Sequence, residues 1–196
     1  GFVSRGLGDV YKRQDMGKIK VEPVGFPTRE PMLAEGKVDS VTGYSFSSYL
    51  NLVRLGVPEN DITTILMADH GLNLYGNAII VNTDFASANA DVVKSFLGAV
   101  GKGWKDAVSN PSSAIEALAK RNPAADKTLE ERRFKLALSG NVMTDYVVKN
   151  GMGNIDNARF EKAINQLSET YNYKTKPNAK LYFTDMYLPM GGFKLK

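Results

Sequence analysis

Thr42, Gly43, Tyr44, Ser45 and Phe46 follow one another in this chain, and the chemistry they offer is that of binding. Hydroxyls, a glycine whose backbone a ligand can approach closely and two aromatic rings would hold a small polar ring or anion by stacking and hydrogen bonds. Tyr75 and Asn77, in the run Leu74-Tyr75-Gly76-Asn77, add a ring and an amide of the same kind. Arg29 adds a guanidinium that could grip a sulfonate, carboxylate or phosphate with two parallel bonds. The same residue types also serve ordinary packing at a strand–helix junction, and Arg29 equally suits a surface helix. On residue types alone both readings stand.

Other residues that could do chemistry lack partners at useful spacing. His70, the lone histidine, follows Asp69, but no nucleophile or second metal ligand is paired with it, so it reads as a loop histidine. Trp104 falls on an apolar helical stripe and reads as core. Glu130-Glu131-Arg132-Arg133 reads as a solvated helix face. The chain has no cysteine, which excludes disulfides, thiolate catalysis and cysteine-based zinc sites. No catalytic residue, cofactor or metal is expected.

The elements that would position the site alternate. Ile19–Val24 reads as a strand, Gly25-Phe26-Pro27-Thr28 as its exit loop, and Arg29–Glu35 as a helix with Pro31 in its first turn. Val38–Thr42 alternates apolar and polar like a strand, Gly43 permits a tight turn, and Ser45, Ser47 and Ser48 offer capping oxygens to a helix over Phe46–Leu55. Ile62–Met67 and Gly76–Asn82 read as further strands. A β-α-β-α-β order argues for a parallel sheet with crossover helices, and ligands of such sheets sit at the carboxyl ends of the strands.

From Asp84 the pattern turns helical. Asn89 or Asp91 would cap a helix with Val92, Val93, Phe96, Leu97, Val100 and Trp104 at helical spacing. Ser109–Ser112 would break it, with helices following at Ser113–Lys120, at Thr128–Leu138 after Asp126, and at Ala158–Thr170 after Asp156. A last helical turn is expected around Leu181–Tyr187.

The runs Glu30-Pro31-Met32-Leu33, Gly36-Lys37-Val38-Asp39 and Val41-Thr42-Gly43-Tyr44-Ser45-Phe46 resemble the substrate-binding proteins of ABC importers. The branch is that of the nitrate, sulfonate, taurine and thiamine-pyrimidine-precursor binders. Leu74–Asn82 resembles the strand by which that family's chain returns to its first lobe, and the likeness continues to about Pro189. The resemblance implies an α/β fold of the type II periplasmic-binding-protein architecture, here incomplete. It places most of a second lobe at 15–72, a hinge or crossover strand at 73–82, and the helix-rich C-terminal part of the first lobe at 83–196. The helices after residue 83 should then carry exposed apolar side chains.

It also implies a function: capture of a small polar organic nutrient, without catalysis, and delivery to ABC permease subunits. The ligand-binding residues would be Arg29, Thr42, Gly43, Tyr44, Ser45, Phe46, Tyr75 and Asn77. The protein would work outside the cytoplasm, in the periplasm or tethered to a membrane, as a monomer when full length. The related synthases that make the thiamine pyrimidine are one alternative, although they carry a cysteine-rich iron site and this chain has no cysteine. The effector-binding domain of a transcription regulator is another.

Ser4–Gln14, Ser-Arg-Gly-Leu-Gly-Asp-Val-Tyr-Lys-Arg-Gln, resembles a transposase sequencing adapter translated in frame. Residues 1–14 are therefore read as artefactual, with the natural sequence beginning near Asp15 inside a longer gene. Removing Arg5, Lys12, Arg13 and Asp9 lowers the formal net charge from +4 to about +2. So small a charge gives no electrostatic case for nucleic acid, which needs clustered phosphate-neutralising groups. No apolar run approaches the roughly 20 residues of a membrane span, so membrane insertion is not expected. At 196 residues and 43% hydrophobic, the chain can bury the core of one or two globular domains.

Overall fold

The structure is a computed structural model that describes residues 16–196. The adapter-like segment at residues 1–14 lies outside the described residues. In chain order the helices are α1 (Phe26–Ala34), α2 (Ser45–Arg54), α3 (Thr83–Ala88), α4 (Ala90–Ser109), α5 (Pro111–Arg121), α6 (Lys127–Ala137), α7 (Asp145–Asn150) and α8 (Asn157–Thr170). Short 3-10 turns interrupt the connections at Met16–Lys18, Glu59–Asp61, Met67–His70 and Ala179–Leu181. The chain divides into two compact units. Among the described residues, one comprises those up to Tyr75 together with Asp156–Tyr182, and the other is Gly76–Ile155 together with Phe183–Lys196.

In the first unit α1 packs on α2. Helix α1 starts a turn earlier than the sequence suggests, because Pro27 occupies its first turn, where a missing N–H costs nothing. Gly25–Thr28 is therefore mostly helix start rather than exit loop, and Pro31 lies inside the helix instead of opening it. Both helices end alike. The N–H of Lys37 reaches the Met32 carbonyl at 2.8 Å, and that of Val57 reaches Leu52 at 3.1 Å. Gly36 at φ 68° and Gly56 at φ 88° supply the left-handed residue that this closure needs.

Helix α2 buries Leu50 and Leu52. Its N-cap is Tyr44, and no side chain caps it. The expectation that Ser45, Ser47 or Ser48 would do so is corrected: Ser48 is turned toward α1 instead. Helix α8 opens as its sequence indicates, with the Asp156 carboxylate accepting from Arg159 N at 2.7 Å, and it buries Ala163, Ile164 and Gln166.

The second unit is helical. Asn82, Asn110, Asp126 and Thr144 cap α3, α5, α6 and α7 through side-chain oxygens. The break expected over Ser109–Ser112 shrinks to Asn110, because Pro111 is itself a good first residue for α5. Helix α4 buries Val93, while Val92 and Phe96 of the same stripe are each 56% exposed. Phe193 packs flat on Gly101, where an added Cβ would stand 2.3 Å from its ring. Met152 and Phe193 exchange both backbone hydrogen bonds at 2.9 Å. The helical turn expected at Leu181–Tyr187 is limited to the 3-10 turn Ala179–Leu181.

The expected strands do not form. Among the described residues the Met152–Phe193 bridge is the single β pairing, and Ile19–Val24, Val38–Thr42, Ile62–Met67 and Gly76–Asn82 are not strands. Alternation tells which face of a strand is apolar, but a ladder also needs a neighbour to take its N–H and C=O groups. Here those segments find none among the described residues, and several of their apolar side chains stay outside, Ile65 at 71% and Ile80 at 91% exposure, while Val38, Val41 and Ile62 are half-buried.

Candidate ligand-binding site

The loop from α1 to α2 brings the central candidates together. Arg29, half-buried on α1, donates from Nη1 to the Thr42 carbonyl, and its guanidinium lies 4.3 Å from the centre of the Phe26 ring. A cation over an aromatic face is held by the ring's quadrupole, so Phe26 and Thr42 together fix the side chain against the loop. One residue along α1, Glu30 is buried, and Ser48 of α2 donates to its Oε1 at 2.6 Å. This bond staples the two helices directly beneath Gly43. An added Cβ at Gly43 would stand 2.0 Å from Ser48 Oγ and 3.1 Å from Ser48 Cβ, so only glycine lets the turn close over the staple.

From that turn Tyr44 and Phe46 project as a stacked pair, with ring centres 5.3 Å apart and planes 17° apart. Tyr44 is 46% exposed, Thr42 and Gly43 are exposed, and Ser45 and Phe46 are half-buried. The Tyr44 carbonyl accepts from the N–H groups of Ser47 and Ser48, which locks the start of α2 to the turn. The arrangement offers a flat aromatic surface beside hydroxyls and an anchored cation.

Two other candidates lie elsewhere. The Tyr75 hydroxyl accepts from Asp156 N at 2.7 Å, and Arg159 covers the Tyr75 ring at 4.1 Å. Arg159 also donates to the carbonyls of Asn73 and Leu74, and Gln166 donates to that of Gly71. Tyr75 is thereby one point of a strap that fastens residues 71–75 along α8, from Asp156 and Arg159 at its start to Gln166 near its end. Asn77 is exposed and belongs to the second unit.

His70 is exposed at the end of its 3-10 turn. Trp104 is half-buried, stacks with Phe134 at 6.5 Å and lines a shallow apolar concavity with Val100, Gly103 and Ala107. Glu130 pairs with Arg133 at 3.1 Å, and the pair is part-buried rather than a solvated face. Among the described residues no group of three His, Asp or Glu side chains is placed to hold a metal, and no helix is long and apolar enough to cross a membrane.

Sequence reasoning missed Glu30, Ser48 and Phe26. Glu30 and Ser48 are 18 residues apart, and only the packing of α1 on α2 makes them neighbours. The available signal was Gly43, whose missing side chain implies that something approaches it closely.

The chain belongs to the NMT1/THI5 like family, whose sequence profile matches residues 4–114. The matched stretch contains α1, the Thr42–Phe46 turn and α2, and it begins inside the adapter-like segment. A relative is the riboflavin-binding protein RibY of Chloroflexus aurantiacus, 30% identical over 98 residues, which are 50% of this chain and 26% of the relative. The aligned part thus spans about a quarter of that protein's length. No solved structure matches the chain significantly.

Proposed function

We propose that the chain is part of an extracytoplasmic solute-binding protein that captures a small polar organic nutrient and delivers it to an ABC importer. The observation that carries this reading is the exposed turn Thr42-Gly43-Tyr44, with its stacked Tyr44–Phe46 pair at the head of α2 and Arg29 anchored behind it. Such a surface suits a flat heterocycle better than a bare oxyanion, because a ring gains from aromatic stacking and a spherical anion does not. Family membership and the name of the Chloroflexus relative, whose ligand is itself a flat heterocycle, support the same class.

The whole protein would have the α/β, two-lobed architecture of type II periplasmic binding proteins. Residues 15–72 would contribute to one lobe, 73–82 to a hinge, and 83–196 to the other lobe. Ligand contacts from both lobes favour the closed state, and a permease that prefers that state then receives the ligand. Binding requires no bond to break, so no catalytic residue is assigned. Thr42, Gly43, Tyr44, Ser45 and Phe46 make the direct contacts, and Arg29 holds their loop in shape.

A thermal-shift screen of the full-length protein against pyrimidines, riboflavin, simple sulfonates, taurine and nitrate tests the reading. A ligand at about 100 times its dissociation constant adds about 2.7 kcal/mol of stability. Stabilisation by a heterocycle is the expected result. Stabilisation by nitrate or taurine, with none from any heterocycle, contradicts the ligand class.

A further inference from the structure

Resting on that reading, we propose that Glu30 is a specificity-determining residue of the site, accepting a hydrogen bond from a ring N–H or amino group of the bound heterocycle. Glu30 is 6% exposed, and glutamates are almost never so buried unless well partnered. A carboxylate has about four lone-pair positions to fill. Among the described residues its hydrogen-bond partner is Ser48, a single hydroxyl on Oε1, and it is in no ion pair. Ser48 meets Oε1, and Oε2 is not a fully buried orphan, so an edge of the carboxyl remains open to a further donor.

Position adds to chemistry. The carboxyl lies beneath Gly43, with Oε1 3.9 Å from where a Cβ would stand, so it underlies the same turn that carries Thr42 and Tyr44. Its chain neighbour Arg29 holds the Thr42 carbonyl, and Arg29 Nε is buried with no acceptor among the described residues. The complement of an acceptor at this place is a ligand edge presenting an N–H, as pyrimidinediones and their fused-ring relatives do.

Calorimetric titration of the full-length protein tests the assignment with four probes: riboflavin, 3-methylriboflavin, uracil and 1,3-dimethyluracil. Methylation of the ring N–H should weaken binding to the wild type by roughly 10- to 100-fold, the effect of losing a hydrogen bond to a charged group. Glu30→Met, which keeps the volume and removes the acceptor, should weaken the unmethylated probes to a similar degree and remove the discrimination between each probe and its methylated form. Ser48→Ala, which leaves the carboxyl in place, should retain that discrimination even if Glu30→Met folds poorly. Equal affinity of methylated and unmethylated probes for the wild type overturns the role of Glu30, as does discrimination that survives in Glu30→Met. Those results leave the heterocycle reading intact. Failure of all four probes to bind the wild type overturns both.

Discussion

Gly43 is where a single atom decides the most. The 2.0 Å that would separate its Cβ from Ser48 Oγ cannot be kept, so Gly43→Ala must rotate Ser48 away from Glu30 or push the turn off α2. Either response breaks a 2.6 Å hydrogen bond to a buried carboxyl, a loss of about 1–3 kcal/mol. The expected result is a lower denaturation midpoint for Gly43→Ala. The substitution should cost clearly less in a Ser48→Ala background, where the staple is already gone. Additive costs in the double variant would show that the two residues act independently. The sequence showed which residue types could bind, since Thr42–Phe46 are contiguous. It did not show Glu30 beneath them, because burial depends on how α1 meets α2. Nor did it show that Tyr75 is committed to the start of α8, because Asp156 and Arg159 lie more than 80 residues away.

Two helix starts were the most legible features at the scale of elements. Asp126 and Asp156 cap α6 and α8 where the sequence placed caps, because a capping carboxylate acts on N–H groups two or three residues ahead and needs no tertiary partner. Asp156 has two such duties, since its own N–H also meets the Tyr75 hydroxyl. Asp156→Ala should lower stability by about 0.5–2 kcal/mol in chemical denaturation, and an unchanged midpoint would contradict the capping role. The strands illustrate the opposite case. Val38–Thr42 and Gly76–Asn82 alternate as strands do, yet pairing is a property of two segments, and alternation in one cannot supply the other.

Between α5 and α6, Lys127 donates to both oxygens of Glu116 at 2.7 and 2.8 Å, and this hydrogen-bonded pairing lowers the Glu116 pKa below its ordinary value of 4.5. A carboxyl with a folded pKa below its unfolded one stabilises the fold above the unfolded value. That contribution fades as the pH falls through the folded one. An NMR titration should therefore place the Glu116 midpoint below 4.5, and Lys127→Met should return it toward that value. Both groups are exposed, so the stability involved is small and screened by salt.

At the scale of the molecule, the family profile covers residues 4–114, the half of the chain that contains the candidate site. The exposed Val92 and Phe96 on α4 and the exposed Ile65 and Ile80 of the unpaired segments show apolar surface that the described residues leave uncovered. The helical pattern after Asp84 was legible because each amphipathic helix satisfies its own backbone. The expected α/β sheet did not form among the described residues, since strand pairing depends on neighbours that a single segment does not encode. The proposed function rests on a smaller feature, the pair of rings at the head of α2.

That pair gives the most direct test. Calorimetry of riboflavin and a pyrimidine panel against the full-length protein and its Tyr44→Ala variant compares binding with and without the exposed ring. Stacking on an aromatic face is worth about 1–3 kcal/mol per heterocycle, so Tyr44→Ala should weaken the best ligand by about 5- to 150-fold with the melting temperature nearly unchanged. A heterocycle that binds the wild type and Tyr44→Ala equally well would contradict the site placed at Thr42–Phe46.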